Sequence, residues 1–186
     1  TKAMLLNQVD NKPQAIFVSD GTFKGENPAN GDNSHNPSTF LAAGYKAEGA
    51  DNIWTVSEDT SKTYCAQVGN GKYETLAAAL AAAEDSDTVK LVGDTTLRSS
   101  VEINKSITLD LNGKTIHYTG ADQKATNPRM SHRALNVTGG NVTIKNGLIT
   151  TTVAGTDYPT EFDAVVVKSG ADVTLKDMNI TINDAK

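Results

Sequence analysis

An alternation of apolar and polar positions recurs three times in the second half of the chain. The stretches are Ile107-Thr-Leu-Asp-Leu-Asn-Gly, Val142-Thr-Ile-Lys-Asn-Gly-Leu and Val173-Thr-Leu-Lys-Asp-Met-Asn. Each runs apolar, Thr, apolar, charged, so alternate residues share one face of a strand. Val, Ile and Thr are stiff at the β-carbon and suit a pleated surface. A turn signal follows each time, at Asn112-Gly113, Asn146-Gly147 and Asp177. A shorter apolar stretch precedes each: Val101-Glu-Ile103, Leu135-Asn-Val137 and Val165-Val-Val167. Short strands and a tight corner, repeated every thirty residues or so, describe the rungs of a solenoid. A single rung cannot bury its apolar row, so each must stack on the next. The pattern predicts Ile107, Leu109, Val142, Ile144, Val173 and Leu175 inside, with Thr108, Thr143 and Thr174 outside.

Ahead of the repeats, residues 73–84 (YETLAAALAAAE) have helical spacing at Tyr73, Leu76, Ala77 and Leu80. Glu74 is expected in the first turn of that helix, where it favours the dipole. At about twelve residues such a helix is marginal alone. Its Leu face should cover the open end of the first rung, because solenoid ends need a cap. Thr88–Val92 and Thr95–Leu97 then begin the stack. Upstream, Met4–Leu6, Ala15–Val18 and Ile53–Val56 read as strands, and residues 26–39 as a loop rich in Asn, Pro and Gly. Polar residues 57–63 read as a linker. This divides the chain into residues 1–56, a linker, and residues 64–186. The apolar row of residues 3–23 is expected to stack on the rung at 173–182, in the same chain or a neighbour.

The series GKYETLAAALAAAEDSDTVKLVGDTTL and SVEINKSITLDLNGKTI resembles the start of a right-handed parallel β-helix module of the pectin-lyase-like type. In that group a short helix caps the first rung, and modules recur in tandem in large surface proteins of gut Gram-positive bacteria. VSDGTF, FLAAGYKA and IWTV resemble the other end of such a module, its last rungs and closing segment. The resemblance implies an all-β solenoid with a short capping helix. It also implies an extracellular or cell-wall-attached location, with neighbouring β-helix modules of the same protein as partners. Thr1-Lys2-Ala3 is no signal peptide, so the chain reads as a fragment of a longer protein.

Composition narrows the function. A net charge of −5 argues against nucleic acid, which calls for a basic stripe. No apolar run reaches the ~18 residues of a membrane span. Cys65 stands alone, leaving no internal disulfide and no cysteine metal cluster. His35, His117 and His132 lack metal-ligand spacing. No cofactor is expected.

Two insertions occupy equivalent places in consecutive repeats and should lie side by side: residues 117–133 and 151–163. The first is basic at its end, with Arg129, His132 and Arg133; the second carries Asp157, Tyr158, Glu161, Phe162 and Asp163. Opposite charges there can simply hold neighbouring loops together. Alternatively, such a mixed aromatic patch binds a protein or glycan, with Arg129, His132, Arg133, Asp157, Tyr158, Glu161 and Phe162 as the contact set. A lyase would want clustered carboxylates for a cation, and a hydrolase a close pair. Asp110 falls instead in a column with Lys145 and Lys176. The reading is a non-catalytic module, and the resemblance to β-helix surface modules implies that it binds a host macromolecule, immunoglobulin among the candidates. The alternatives are a glycan-binding or glycan-active β-helix and a structural spacer in an adhesin.

Overall fold

The computed structural model describes residue 6 and residues 16–30, 39–122, 132–153 and 162–184. It is mostly β, with one short helix, and divides into two compact units. The first comprises residues 1–63 with 70–72, the second residues 64–69 with 73–186.

In the first unit, β1 (Gly21–Lys24), β2 (Tyr45–Ala50) and β3 (Ile53–Glu58) form an antiparallel sheet in the order β1-β3-β2. Asp51 and Asn52 join β2 to β3 with φ of 53° and 63°. Two consecutive left-handed residues suit the twist of a hairpin, and Asp and Asn tolerate them best among non-glycines. Val18, Phe40 and Val56 make a small core, bordered by Ile16, Phe23, Leu41, Tyr45 and Ala47. Rungs pair in parallel, whereas β1 to β3 pair antiparallel and carry a core of their own. Ser57 and Glu58, expected in the linker, complete β3 instead. Glu58 is held there by an ion pair with Lys72.

The second unit begins with β4 (Ala66–Val68); of β5 (Gly71–Tyr73), only Tyr73 belongs to it. Helix α1 (Leu76–Ala82) follows. The helix starts later than its periodicity suggests because Thr75 is the N-cap: its hydroxyl accepts the Ala78 N–H at 3.2 Å. Glu74 therefore precedes the helix rather than lying in its first turn. Leu76, Ala79, Leu80 and the C-capping Ala83 are buried, and Ala77 is exposed. Lys105 reaches the helix C-terminus from outside and donates to the carbonyls of Ala81, at 2.9 Å, and Ala83. This cation complements the helix dipole, since no basic residue lies in the last turn itself.

Next come β6 (Thr88–Leu91), β7 (Thr95–Leu97), β8 (Val101–Ile103), β9 (Thr108–Asp110), β10 (Thr115–Tyr118) and β11 (His132–Val137). The last three are β12 (Gly140–Val153), β13 (Phe162–Val167) and β14 (Ala171–Asp184). Among themselves these strands pair in parallel, in three ladders, while β6 also pairs antiparallel with β4. β6, β9, the first half of β12 and the first half of β14 make one. β7, β10 and the second halves of β12 and β14 make another. The third is β8, β11 and β13. β12 and β14 each pass through two ladders, and the sheets stay open rather than closing on themselves.

The register explains the core. Leu109 and Ile144 pair, as do Ile116 and Ile149, and all four are completely buried. Burying such a side chain contributes about 1.5–3 kcal/mol. Thr108 and Thr143, on the alternate face, are only half-buried. The last row departs from expectation: Leu175, in register with Ile144, is 47% exposed, and Val173 is half-buried. Among the described residues β14 pairs with β12 alone, so the apolar row of this rung lacks a further strand to complete it there.

Asn112, Asn146 and Asp177 stand at the corners with φ of 49°, 60° and 53°. Asn146 donates from its side-chain amide to Asp110 Oδ1 at 3.1 Å, and Asn112 to the Leu91 carbonyl at 3.1 Å. Asn112 N–H also donates to Asp110 Oδ1, at 2.9 Å, and Lys145 lies 3.5 Å from Oδ2. Partial burial works to raise the Asp110 pKa. These donors and the lysine outweigh it and hold the carboxyl below its usual range.

Candidate functional site

The bases of the two insertions come together where β11 and β13 begin. His132 pairs with Phe162, and Arg133 with Asp163, in adjacent parallel strands. The same register places Tyr118, at the end of β10, beside Thr151 on β12. Each insertion thus leaves and re-enters the stack next to its counterpart.

His132 is buried rather than presented at a rim. Along β11 the alternation places His132 and Ala134 inside and Arg133 half-exposed between them. Its Nδ1 lies 3.3 Å from the buried Tyr118 hydroxyl. Its ring packs against Phe162 with centroids 5.3 Å apart and planes tilted by 38°. Nε2 is buried without a hydrogen-bond partner. Burial lowers the His132 pKa, so the neutral ring is the favoured form. Gly120 makes room for this arrangement: a β-carbon there would lie 2.7 Å from Nδ1, and its φ is +59°.

Around this apolar centre the charges are paired. Arg133 Nε stands 3.9 Å from Asp163 Oδ2, a charge contact beyond hydrogen-bond reach, and Nε itself makes no hydrogen bond. Arg98, on the turn after β7, makes a two-pronged contact with Asp122 at 2.8 and 2.7 Å. The Asp122 N–H returns a bond to the Arg98 carbonyl at 2.9 Å. Ser100 donates to the Arg133 carbonyl at 2.5 Å. Solvent screens exposed charge pairs of this kind, so they add little to stability. They fix the loop bases more than they stabilise the fold.

Of the residues singled out from sequence, His132, Arg133 and Phe162 are brought together. Arg129, Asp157, Tyr158 and Glu161 lie outside the described residues. Tyr118 and the Arg98–Asp122 pair were not anticipated. The alternation Ile116, Tyr118 carries the signal for the first, because it continues the inward face of β10. Nothing in sequence spacing links Arg98 to Asp122.

Among the described residues no group of three or more His, Cys, Asp or Glu side chains is arranged to hold a metal ion. Asp110, Lys145 and Lys176 stand in register, acid beside base beside base. Cys65 is buried, and burial raises its pKa, which favours the protonated thiol. No helix among the described residues is long and apolar enough to cross a membrane. Comparison with protein-family models, with curated proteins and with solved structures finds no match in any of the three.

Proposed function

We propose that the chain is a non-catalytic recognition module of a bacterial secreted or cell-surface protein. Its second unit is read as the opening rungs of a right-handed parallel β-helix capped by α1, and it binds a host macromolecule through the two adjacent insertions. The observation that carries this reading is the pairing of His132 with Phe162 and Arg133 with Asp163. It sets the two longest strand-to-strand connections of the stack on one rigid base. A preorganised base lowers the entropy cost of binding, and aromatic and Arg residues are the usual anchors. The paired state of Asp110, Asp122 and Asp163 favours binding over acid–base chemistry, since each carboxylate already faces a basic group.

The test is capture from mucosal secretions, alongside a panel of plant and mucin glycans, with the parent chain and with Tyr158→Ala and Arg133→Ala. Retention of a secreted protein, weakened by more than ~1 kcal/mol in either variant, supports the reading. Selective retention of a glycan moves the function to carbohydrate recognition. Retention of neither leaves the spacer role.

A further inference from the structure

The imidazole of His132 is enclosed, only 1% exposed, at the point where both insertions rejoin the stack. We propose that it is an acid-operated latch. When the ring takes up a proton, the leading ends of β11 and β13 part and release both insertions together, while the rungs behind them stay folded. Its use in letting go of a bound macromolecule rests on the recognition reading above; the latch itself does not.

The surroundings of the ring suit its neutral form. Nδ1 stands 3.3 Å from the Tyr118 hydroxyl, whose oxygen is also engaged by the Ser100 side chain and the Arg133 backbone. Nε2 is buried with no hydrogen-bond partner, and the ring meets Phe162 at 5.3 Å between centroids. A second proton therefore adds a charge that nothing there solvates. The neighbouring charged groups do not compensate it. On the segment after β10, Asp122 is held by Arg98 from the turn after β7, at 2.8 and 2.7 Å. On β13, Asp163 lies 3.9 Å from Arg133 of β11. β10 presents Tyr118 inward and the half-exposed His117 on its alternate face, and β12 places the uncharged Thr151 beside Tyr118. Both of these acids thus face a cation already, and the two arginines add like charge to a protonated ring.

Strand pairing decides which part opens. Among the described residues, Leu135, Asn136 and Val137 pair on both sides, with β8 and with β13, whereas His132 and Arg133 pair with β13 alone. The leading end of β11 is therefore held by one ladder and by the packing of His132 on Tyr118 and Phe162. A charged ring reaches water only by giving that packing up. Behind it Ala134, Leu135 and Val137 are buried and carry no titratable group, so the opening stops there. Because His132 begins β11 and Phe162 begins β13, loss of their contact frees both insertions in one event.

Hydrogen exchange of the intact chain at about pH 7.5 and about pH 5.5, expressed as protection relative to the free amide at each pH, tests the latch without any partner. A water-exposed imidazole with the ordinary pKa of 6.5 is about ten to one protonated at the lower pH. Protection at residues 132–134 and 162–164 should therefore fall by up to about tenfold in the parent. The amides of Leu109, Ile144 and Ile149 should keep theirs. His132→Phe retains a buried ring that cannot titrate and should show no such fall. His132→Gln, uncharged at both pH values, takes its place if the new ring does not pack. The proposal is overturned if protection at the two segments is the same at both pH values in the parent, or if the uncharged variant loses it as the parent does. An equal fall across the whole second unit overturns it as well. A latch that opens as expected, beside a captured macromolecule retained equally at both pH values, would remove the recognition reading and leave the latch standing.

Discussion

The His132 ring packs against Phe162 at a tilt of 38° with centroids 5.3 Å apart, because the parallel register of β11 and β13 pairs these two residues directly. The contact joins the first strand after one insertion to the first strand after the next. It is the strongest structural reason to treat the two insertions as a single surface. Truncating Phe162 to Ala should cost about 1–2 kcal/mol, for a half-buried ring and its aromatic partner. Thermal unfolding checks this; an unchanged midpoint would mean that the pair does not tie the insertions together.

Acid should weaken the same place. The folded-state pKa of His132 lies below its ordinary value of 6.5, so the unfolded chain binds the proton more readily. The neutral ring's contribution is fully present above about 6.5 and is lost as pH falls toward the lower folded-state value. The midpoint of unfolding should drop between pH 7.5 and 5.5 in the parent and change less in His132→Gln. Asp110 adds a separate loss at lower pH, because its folded-state pKa is also depressed. Parallel pH profiles for the parent and His132→Gln over the upper window would contradict the assignment.

Gly120 has a narrow tolerance. A methyl group there would meet His132 Nδ1 at 2.7 Å and the Tyr118 hydroxyl at 3.1 Å, at a φ of +59° that side chains rarely adopt. Gly120→Ala should cost roughly 1–3 kcal/mol, whereas Gly113→Ala, with positive φ but open space, should cost less. Urea unfolding of the two variants gives the comparison.

Much of this arrangement is legible in the sequence because strand alternation is a strong code for direction. Val142-Thr-Ile-Lys assigns Ile144 to the core and Thr143 to the outer face, and the structure agrees. The same code assigns Leu175 inward but says nothing about what covers it, which is why that residue is exposed despite the right pattern. His132 escaped for a related reason. In Ser-His-Arg it reads as loop chemistry, and only the strand beginning at His132 turns it inside. The helical period at Tyr73 points to a start three residues too early, because Thr75 offers the better cap. In the first unit the hairpin was hidden: Tyr45–Ala50 contains Lys, Glu and Gly, with little strand propensity, and is held by pairing with β3.

Lys105 should matter to the helix although it lies outside it. Lys105→Met keeps the aliphatic stem but removes the donor to the Ala81 and Ala83 carbonyls. A loss of about 0.5–1.5 kcal/mol is expected, with earlier amide exchange in Leu76–Ala82 than in β9 or β12. Uniform acceleration of exchange across the unit would argue against a local helix anchor.

The parallel stack itself is tested most directly by thermal unfolding of Ile144→Asp beside Thr143→Asp. These neighbours on β12 differ only in the face they occupy: Ile144 is wholly buried and Thr143 is half-exposed. The first substitution places an unpaired carboxylate between Leu109 and Leu175 and should unfold the second unit at ambient temperature. The second should lower the midpoint only slightly. Equal losses from the two substitutions would contradict the register on which the stack and its loop bases depend.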